Sequence, residues 1–365
     1  MKAAIVTCFE SNDERVDFVY EALTGKGYDV SVLSSDFSHI RKERRNDISD
    51  HYRLIKTVPY RKNLSLRRMY SHRRFAKDIF GVIEKEQPQL IWLMIPANSL
   101  MYEANRYKKK HPDVKLITDV IDMWPESLPM NIDSDSFPFS VWKNVRSNNI
   151  GCSDVLVSEC DFYKNVLGKE YGRDIKTLYW SRDARAESIS NLNDDRLSLC
   201  YIGSINNIID IDKIVDIVSG ISNPVEFHVI GEGEKQEEFV SKLSNVCETV
   251  YHGAVRDEEK KAELFSKVHA GINIYRDSLY IGLTVKCIDY FKHGIPIINN
   301  IKGDTWKFVE ENGVGINYEE NMKIDGKKLI EMRKNNRNIL DLYEDNFTKE
   351  VFIRKCSEII DEVNQ

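Results

Sequence analysis

The stretch that decides the fold is GINIYRDSLYIGLTVKCIDYFKHGIPIIN, residues 271–299. It reads as a strand over 271–275, a glycine-containing loop over 280–283, a helix over 284–293 and a second buried strand over 295–299. A strand-to-helix turn of this kind leaves backbone N–H groups without intrahelical partners. Together with the helix dipole, roughly half a positive charge at that end, it suits a phosphate. Thr284 stands at the expected N-cap, and Gly282 is expected to let a ligand approach the backbone closely. Lys286 falls in the first turn, where its charge opposes the dipole, a conflict that a bound anion removes. Asp289, three residues on, shares the helix face of Lys286 and suits a pair of vicinal hydroxyls. The spacing therefore supports two readings. One is a nucleotide diphosphate with its ribose; the other is an ordinary βαβ unit with an exposed Lys–Asp pair worth a few tenths of a kcal/mol.

The neighbouring residues favour the first. GLTVKCIDYFKHGIPII resembles the nucleotide-sugar signature of GT-B glycosyltransferases of the GT4-type group, GLPxKxxEYxAxGxPV. Gly282, Leu283, Lys286, Asp289, Tyr290, Gly294 and Pro296 fall on matching positions. Thr284 replaces the proline and Asp289 the glutamate, and Ile281 stands where the group's E-x7-E pattern has its first carboxylate. The resemblance implies that Asp289 holds the ribose; no residue here takes the sugar-binding role of the missing glutamate. It covers most of 197–316 and is looser in the first half.

At 365 residues the chain is long for one core and suited to two domains. Apolar content of 42% and charged content of 30% are those of a soluble globular protein. No apolar run reaches the roughly 18 residues of a membrane span. The N-terminus, MKAAIVTC, enters a strand pattern directly, without a signal peptide's apolar region. Seven scattered cysteines, none spaced as CxxC, read as core residues in a reducing compartment, so the expected location is cytoplasmic.

Strand and helix patterns alternate through the first half, with strands over 3–7, 28–33, 89–95, 114–121, 154–157 and 176–178. Helices are expected over 13–26, 66–86, 100–110 and 139–150. The alternation restarts with strands over 197–202, 225–230, 250–252, 269–274 and 295–299, and helices over 325–342 and 348–363 close the chain. The expected class is α/β, two Rossmann-like parallel-sheet domains. Residues 1–182 form an acceptor-binding domain, 183–196 a linker and 197–347 a nucleotide-sugar domain. In GT-B terms the domains face across a cleft, and 348–365 is a helix crossing back to the first.

Within the second domain the resemblance puts the diphosphate on Gly203 and Ser204, at the end of the first strand, and the nucleobase beside Val255. The group often has a lysine shortly after Ser204. Asn206 and Asn207 stand there instead, so Lys286 supplies much of the cationic charge, with Arg276 as a second source. In the first domain DVIDMWPE, 119–126, resembles the DxxDLWPE segment of bacterial surface-polysaccharide transferases. Asp122 is then the candidate base for the acceptor hydroxyl, Trp124 a face for sugar stacking, and Pro125 the start of a helix. The alternative is that Asp122 caps that helix. Glu126 is a weaker candidate, more simply a first-turn carboxylate. Many GT4 members carry a histidine in this region; none stands between His111 and His228. His39 follows the second strand in a segment resembling capsule-type transferases and is a candidate to face the cleft; in a loop it also reads as solvated. His72 reads as surface. Asp133 and Asp135 match the DxD of metal-dependent transferases but read as a polar loop, and no metal or other cofactor is expected.

Net charge is −6, yet residues 41–77 carry thirteen Lys/Arg against three Asp/Glu, +10, leaving −16 elsewhere. Arg67, Arg68 and Arg73, interleaved with Leu66, Met69 and Tyr70, suit an anionic membrane surface on its cytoplasmic side, or the diphosphate of a lipid-linked acceptor. A solvated helix face is the plainer reading. No nucleic-acid-binding signature accompanies the charge. The expected activity is transfer of a sugar from a nucleotide diphosphate donor to a lipid-linked or glycan acceptor, retaining and metal-independent by resemblance. A nucleotide-sugar epimerase of the same fold and an inactive scaffold subunit at the membrane are the rivals.

Overall fold

A computed structural model describes residues 1–45, 49–128, 136–183 and 192–365. The chain divides into two compact units. Met1–Leu128, 136–179 and Phe352–Gln365 make the first, and Trp180–Val351 supplies the second. Most of the expected linker, 184–191, and the Asp133–Asp135 pair lie outside the described residues.

The first unit is built on β1 (Lys2–Val6), β2 (Asp29–Ser35), β3 (Tyr52–Ile55), β4 (Leu90–Ile95), β5 (Lys115–Val120), β6 (Val155–Ser158) and β7 (Lys176–Thr177). All pairings are parallel, in the order β3-β2-β1-β4-β5-β6-β7. Around them lie α1 (Asp13–Gly25), α2 (Leu66–Glu86), α3 (Ser99–Lys110), α4 (Phe139–Ser147) and α5 (Asp161–Tyr171). The second unit pairs β8 (Leu197–Ile202), β9 (Val225–Ile230), β10 (Glu248–Gly253), β11 (Ala270–Asn273), β12 (Ile297–Asn299) and β13 (Gly315–Asn317) in parallel, in the order β10-β9-β8-β11-β12-β13. Its helices are α6 (Ile211–Ser219), α7 (Gln236–Ser244), α8 (Glu258–Phe265), α9 (Val285–Lys292), α10 (Asp304–Asn312), α11 (Gly326–Lys334) and α12 (Arg337–Asn346). The last helix, α13 (Lys349–Val363), runs into the first unit, where Phe18 meets Phe352 and Lys26 pairs with Asp361 at 2.6 Å.

Several elements differ from the sequence expectation: β13 and α5 stand where no element is expected, and three other differences have a readable cause. Strand β3 is a four-residue edge strand, mostly half-exposed, with Arg53 paired to Glu86, so it carries no apolar run to read. The helix expected over 325–342 breaks into α11 and α12 at Asn335 and Asn336. There the Asn336 side chain leaves the helix path to donate to the Gly294 carbonyl at 3.2 Å. Among the described residues no helix starts at Pro125: residues 124–127 form turns, and the next described helix is α4, from Phe139.

Each sheet reverses its order once, between β1 and β4 and between β8 and β11. At such a point the loops leaving neighbouring strands part in opposite directions, opening a crevice at the carboxyl edge. In the second unit Gly203, just past β8, and Lys286, on the helix after β11, meet at that point.

Candidate functional sites in the two units

In the second unit, α9 is locked to the edge of β8 by Tyr290. Its hydroxyl donates to the Cys200 carbonyl at 3.0 Å and accepts the Ile202 N–H at 3.1 Å. The ring crosses Gly271 of β11, where a Cβ would stand 2.5 Å from it, so the glycine that opens the deciding stretch is there for this crossing. The turns after β8 and β9 press together in the same way. Gly203 has φ +127 and Gly231 φ +144, and a Cβ on Gly231 would stand 1.9 Å from the Gly203 carbonyl oxygen. Backbone bonds from Gly203 N–H to Ile230 O, 3.0 Å, and from Gly231 N–H to Gly253 O, 2.8 Å, complete this edge. Val255 follows half-buried in the loop after β10.

Lys286 reaches into this edge. A Cβ on Gly203 would meet Lys286 Nζ at 3.5 Å, and Nζ lies 3.7 Å from the centre of the Tyr201 ring and 4.9 Å from that of Tyr275. Nζ is buried and makes no hydrogen bond to the described residues. Burial pushes its pKa from the ordinary lysine value down to about 7. Tyr201 in turn donates its hydroxyl to the Ser204 carbonyl at 2.7 Å, fixing the turn beside Gly203. Sequence reading placed the turn but missed these two aromatic walls. Their signal was a tyrosine at the penultimate position of β8 and another just past the end of β11.

Asp289 also points inward, and it has a protein partner: Arg182 Nε donates to it at 3.0 Å. Nothing in the sequence around Arg182 announces this partner, 107 positions away. The expected N-cap position of Thr284 holds, while its side-chain bond and the approach to Gly282 differ from the expectation. Thr284 occupies the N-cap position, but its hydroxyl makes no cap bond; it donates to Asn273 Oδ1 at 2.8 Å. The close approach at Gly282 is made by protein, since a Cβ on Gly303 would stand 2.4 Å from Gly282 Cα and Thr305 N–H donates to the Gly282 carbonyl at 3.1 Å. Leu283 is buried, Ser204 exposed, and Arg276 exposed on the loop after β11.

In the first unit, the basic helix turns three polar residues, Arg68, Ser71 and His72, into the core. Arg68 and His72 are 4% and 3% exposed. The readings of Arg68 as a surface contact and of His72 as surface are thereby corrected. The guanidinium of Arg68 lies 4.2 Å from the centre of the Trp124 ring and 5.7 Å from those of Phe9 and Tyr60. Its Nη1 donates to the Asn63 carbonyl at 2.7 Å, and its Nη2 is buried with no acceptor among the described residues. The face of Trp124 expected for a sugar is thus taken by Arg68, with His72 stacked behind at 6.4 Å.

His39 is half-buried, its Nδ1 2.8 Å from the Tyr60 hydroxyl. Burial, with Arg68 and Lys42 nearby, pushes its pKa down to about 3, so the ring is neutral at physiological pH. The Asp122 carboxylate accepts from Trp124 Nε1 at 2.6 Å and from the Ser127 hydroxyl. Burial raises its pKa despite these donors. Glu126 is structural, bound through both oxygens to the buried Arg146 at 2.6 and 3.1 Å. Arg67 and Arg73 are exposed as expected.

No family model matches the chain, and no curated protein matches it in sequence. Solved structures do match it along its whole length. Sucrose-phosphate synthase from Thermosynechococcus elongatus has a TM-score of 0.74 at 11% identity, covering 100% of this chain and 99% of that one. The lipopolysaccharide outer core galactosyltransferase WaaB, in its apo form, has a TM-score of 0.64 at 13% identity, covering 99% of both chains. HepE from Anabaena, in complex with UDP, has a TM-score of 0.67 at 9% identity, covering 99% of this chain and 100% of that one. These are GT-B glycosyltransferases, and two parallel-sheet α/β units of seven and six strands matched end to end define the same fold here. The chain has the GT-B fold.

Proposed function

We propose that the protein is a GT4-like glycosyltransferase. It would move a sugar from a nucleotide diphosphate donor to a lipid-linked or glycan acceptor in the synthesis of a bacterial surface polysaccharide. One observation carries this: Lys286 Nζ is buried against the Gly203 turn at the switch point of the second sheet, with no carboxylate to neutralise it among the described residues. A buried ammonium without an acceptor is costly, and a diphosphate seated on the Gly203 turn and the start of α9 would remove that cost. HepE, of the same fold, has been solved with UDP and with UDP-glucose.

In this reading the diphosphate lies on Gly203, Ser204 and the Thr284–Lys286 turn, with Val255 beside the base and Asp289 on the ribose. As the sugar leaves, charge grows on the diphosphate, and Lys286 with the oriented N–H groups stabilises it without reorganising. Asp122 is the candidate acceptor of the incoming hydroxyl's proton, its raised pKa matching that role. The retaining outcome and the absence of a metal requirement follow from resemblance to the GT4-type group. No helix among the described residues is long and apolar enough to cross a membrane. Leu66, 84% exposed, and Tyr70, 59% exposed, sit among Arg67, Arg73 and Arg74, which supports peripheral contact with an anionic bilayer.

Calorimetry tests the donor site. UDP or GDP is expected to bind with micromolar affinity, and absence of heat with both nucleotides overturns the assignment. Sedimentation with vesicles containing phosphatidylserine tests the membrane face; binding should fall steeply between low and physiological salt.

A further inference from the structure

Two cavities adjoin along the start of α2, and their linings differ in kind. One, of about 560 Å3, is lined by Lys42, Tyr60, Arg61, Lys62, Ser65 and Arg67, with Pro59. That is four cations and no carboxylate. The lining is organised by its own loop: Lys42 Nζ donates to Asn63 Oδ1, and Arg67 Nε to the Pro59 carbonyl at 2.8 Å. From below, Arg68 Nη1 fixes the Asn63 carbonyl at 2.7 Å. The first turn of α2 has no acidic residue, so the helix dipole adds to the positive potential.

The second cavity, of about 540 Å3, is a groove walled chiefly by Met69, Tyr70, Tyr102, Val141, Trp142 and Val145 of α2, α3 and α4. Tyr70, Tyr102 and Val141 are 59%, 47% and 51% exposed, an apolar wall open to water, and Arg73 and Glu103 also border the groove. Arg67 of the first cavity and Tyr70 of the second are three residues apart on α2, so they adjoin on the helix surface. An inorganic anion would leave the groove unused, and a neutral hydrocarbon would leave four cations unmatched.

We propose that the two cavities together bind one amphiphile, a phosphate or diphosphate ester of a long hydrocarbon chain. The anion lies on Lys42, Arg61, Lys62 and Arg67, and the chain lies along the groove to Trp142. This names the chemical class of the acceptor and rests on the transferase reading for its place in the reaction. Cationic side chains match phosphate oxygens through charge-assisted hydrogen bonds, and every methylene the groove takes out of water adds to the affinity.

The test uses dodecyl phosphate below its micelle concentration, with inorganic phosphate and dodecyl glucoside as single-ended controls, all titrated by calorimetry into the full chain. Dodecyl phosphate is expected to bind at least tenfold more tightly than either control and to shift the Trp142 emission, a shift lost in Trp142→Phe. The exposed pair Lys62→Glu with Arg67→Glu should abolish the advantage over dodecyl glucoside; Val141→Asp should abolish the advantage over inorganic phosphate. Equal affinity for dodecyl phosphate and inorganic phosphate overturns the proposal in favour of a free-anion site. Equality with dodecyl glucoside, or indifference to the charge reversals, overturns it as well. UDP titrated into the same wild-type protein reports the donor site alone, so failure there and failure here are told apart.

Discussion

Lys286 in the second unit and Arg68 in the first are both buried against aromatic rings, and the two cations are accommodated by different means. Lys286 touches the faces of Tyr201 and Tyr275 and has no hydrogen-bond acceptor among the described residues; burial brings its pKa down to about 7. Arg68 lies over Trp124, Tyr60 and Phe9, and it keeps its charge, because a guanidinium does not release a proton in the accessible range. The lysine can answer burial by becoming neutral until an anion arrives. The arginine has to be solvated permanently by ring faces, each worth about 0.5–2 kcal/mol, and by the Asn63 carbonyl. The first is suited to a ligand that comes and goes. The second is suited to holding a loop in place.

The largest test of this contrast is removal of each cation. Lys286→Ala is expected to lower kcat/KM for nucleotide-sugar turnover by about 10^3-fold, the upper range for loss of one preorganised donor to developing charge. Near-native turnover would remove the mechanism. Lys286→Met should also stabilise the unliganded protein. The lysine's folded pKa lies below its unfolded value, so the unfolded chain binds the extra proton between about pH 7 and the ordinary lysine range. The penalty is complete below about pH 7 and fades as pH rises through that window. The gap in Tm between Lys286→Met and wild type should shrink accordingly.

Arg68→Met should act differently, lowering acceptor-dependent turnover about thirtyfold, the equivalent of a charged hydrogen bond, while UDP affinity in calorimetry stays within twofold. Loss of UDP binding in that variant would show that Arg68 serves the donor site as well and would erase the distinction between the two cations.

What the sequence made legible follows the same division. The strand–helix–strand over 271–299 and the inward direction of Lys286 and Asp289 could be read because the helix start, the lysine and the carboxylate are close in sequence. The second-unit strand order could not, and neither could Arg182, since both depend on pairings between distant residues. In the first unit the charge count misled. The +10 of 41–77 is partly neutralised by carboxylates from outside the segment, since Arg44 pairs with Asp36, Arg45 with Asp13 and Arg53 with Glu86. The burial of Arg68 and His72 had a readable signal. Stepping back from Phe75 by three and then four residues along the buried stripe of α2 lands on both. Treating charged residues as surface by type overrode the periodicity.

A narrower test exchanges one kind of cation for the other. If UDP binds the protonated form of Lys286, affinity should fall by up to tenfold per pH unit above about pH 7, with proton uptake measurable in buffers of different ionisation enthalpy. Lys286→Arg, charged throughout, should flatten that slope while binding more weakly for want of fit. A slope that survives in the arginine variant would place the titrating group elsewhere.

The smallest effect lies at the ribose. Arg182 already holds the Asp289 carboxylate at 3.0 Å, so a ribose hydroxyl gains only the difference between its own bond and the one it perturbs, about 1 kcal/mol. UDP should therefore bind about fivefold more tightly than 2′-deoxy-UDP, and Asp289→Ala should bring the ratio to one. Arg182→Ala frees the carboxylate from its competitor and should widen the ratio beyond the wild-type value. A ratio unchanged in Asp289→Ala would leave that carboxylate as a partner of Arg182 alone, with the nucleotide held by the diphosphate and base.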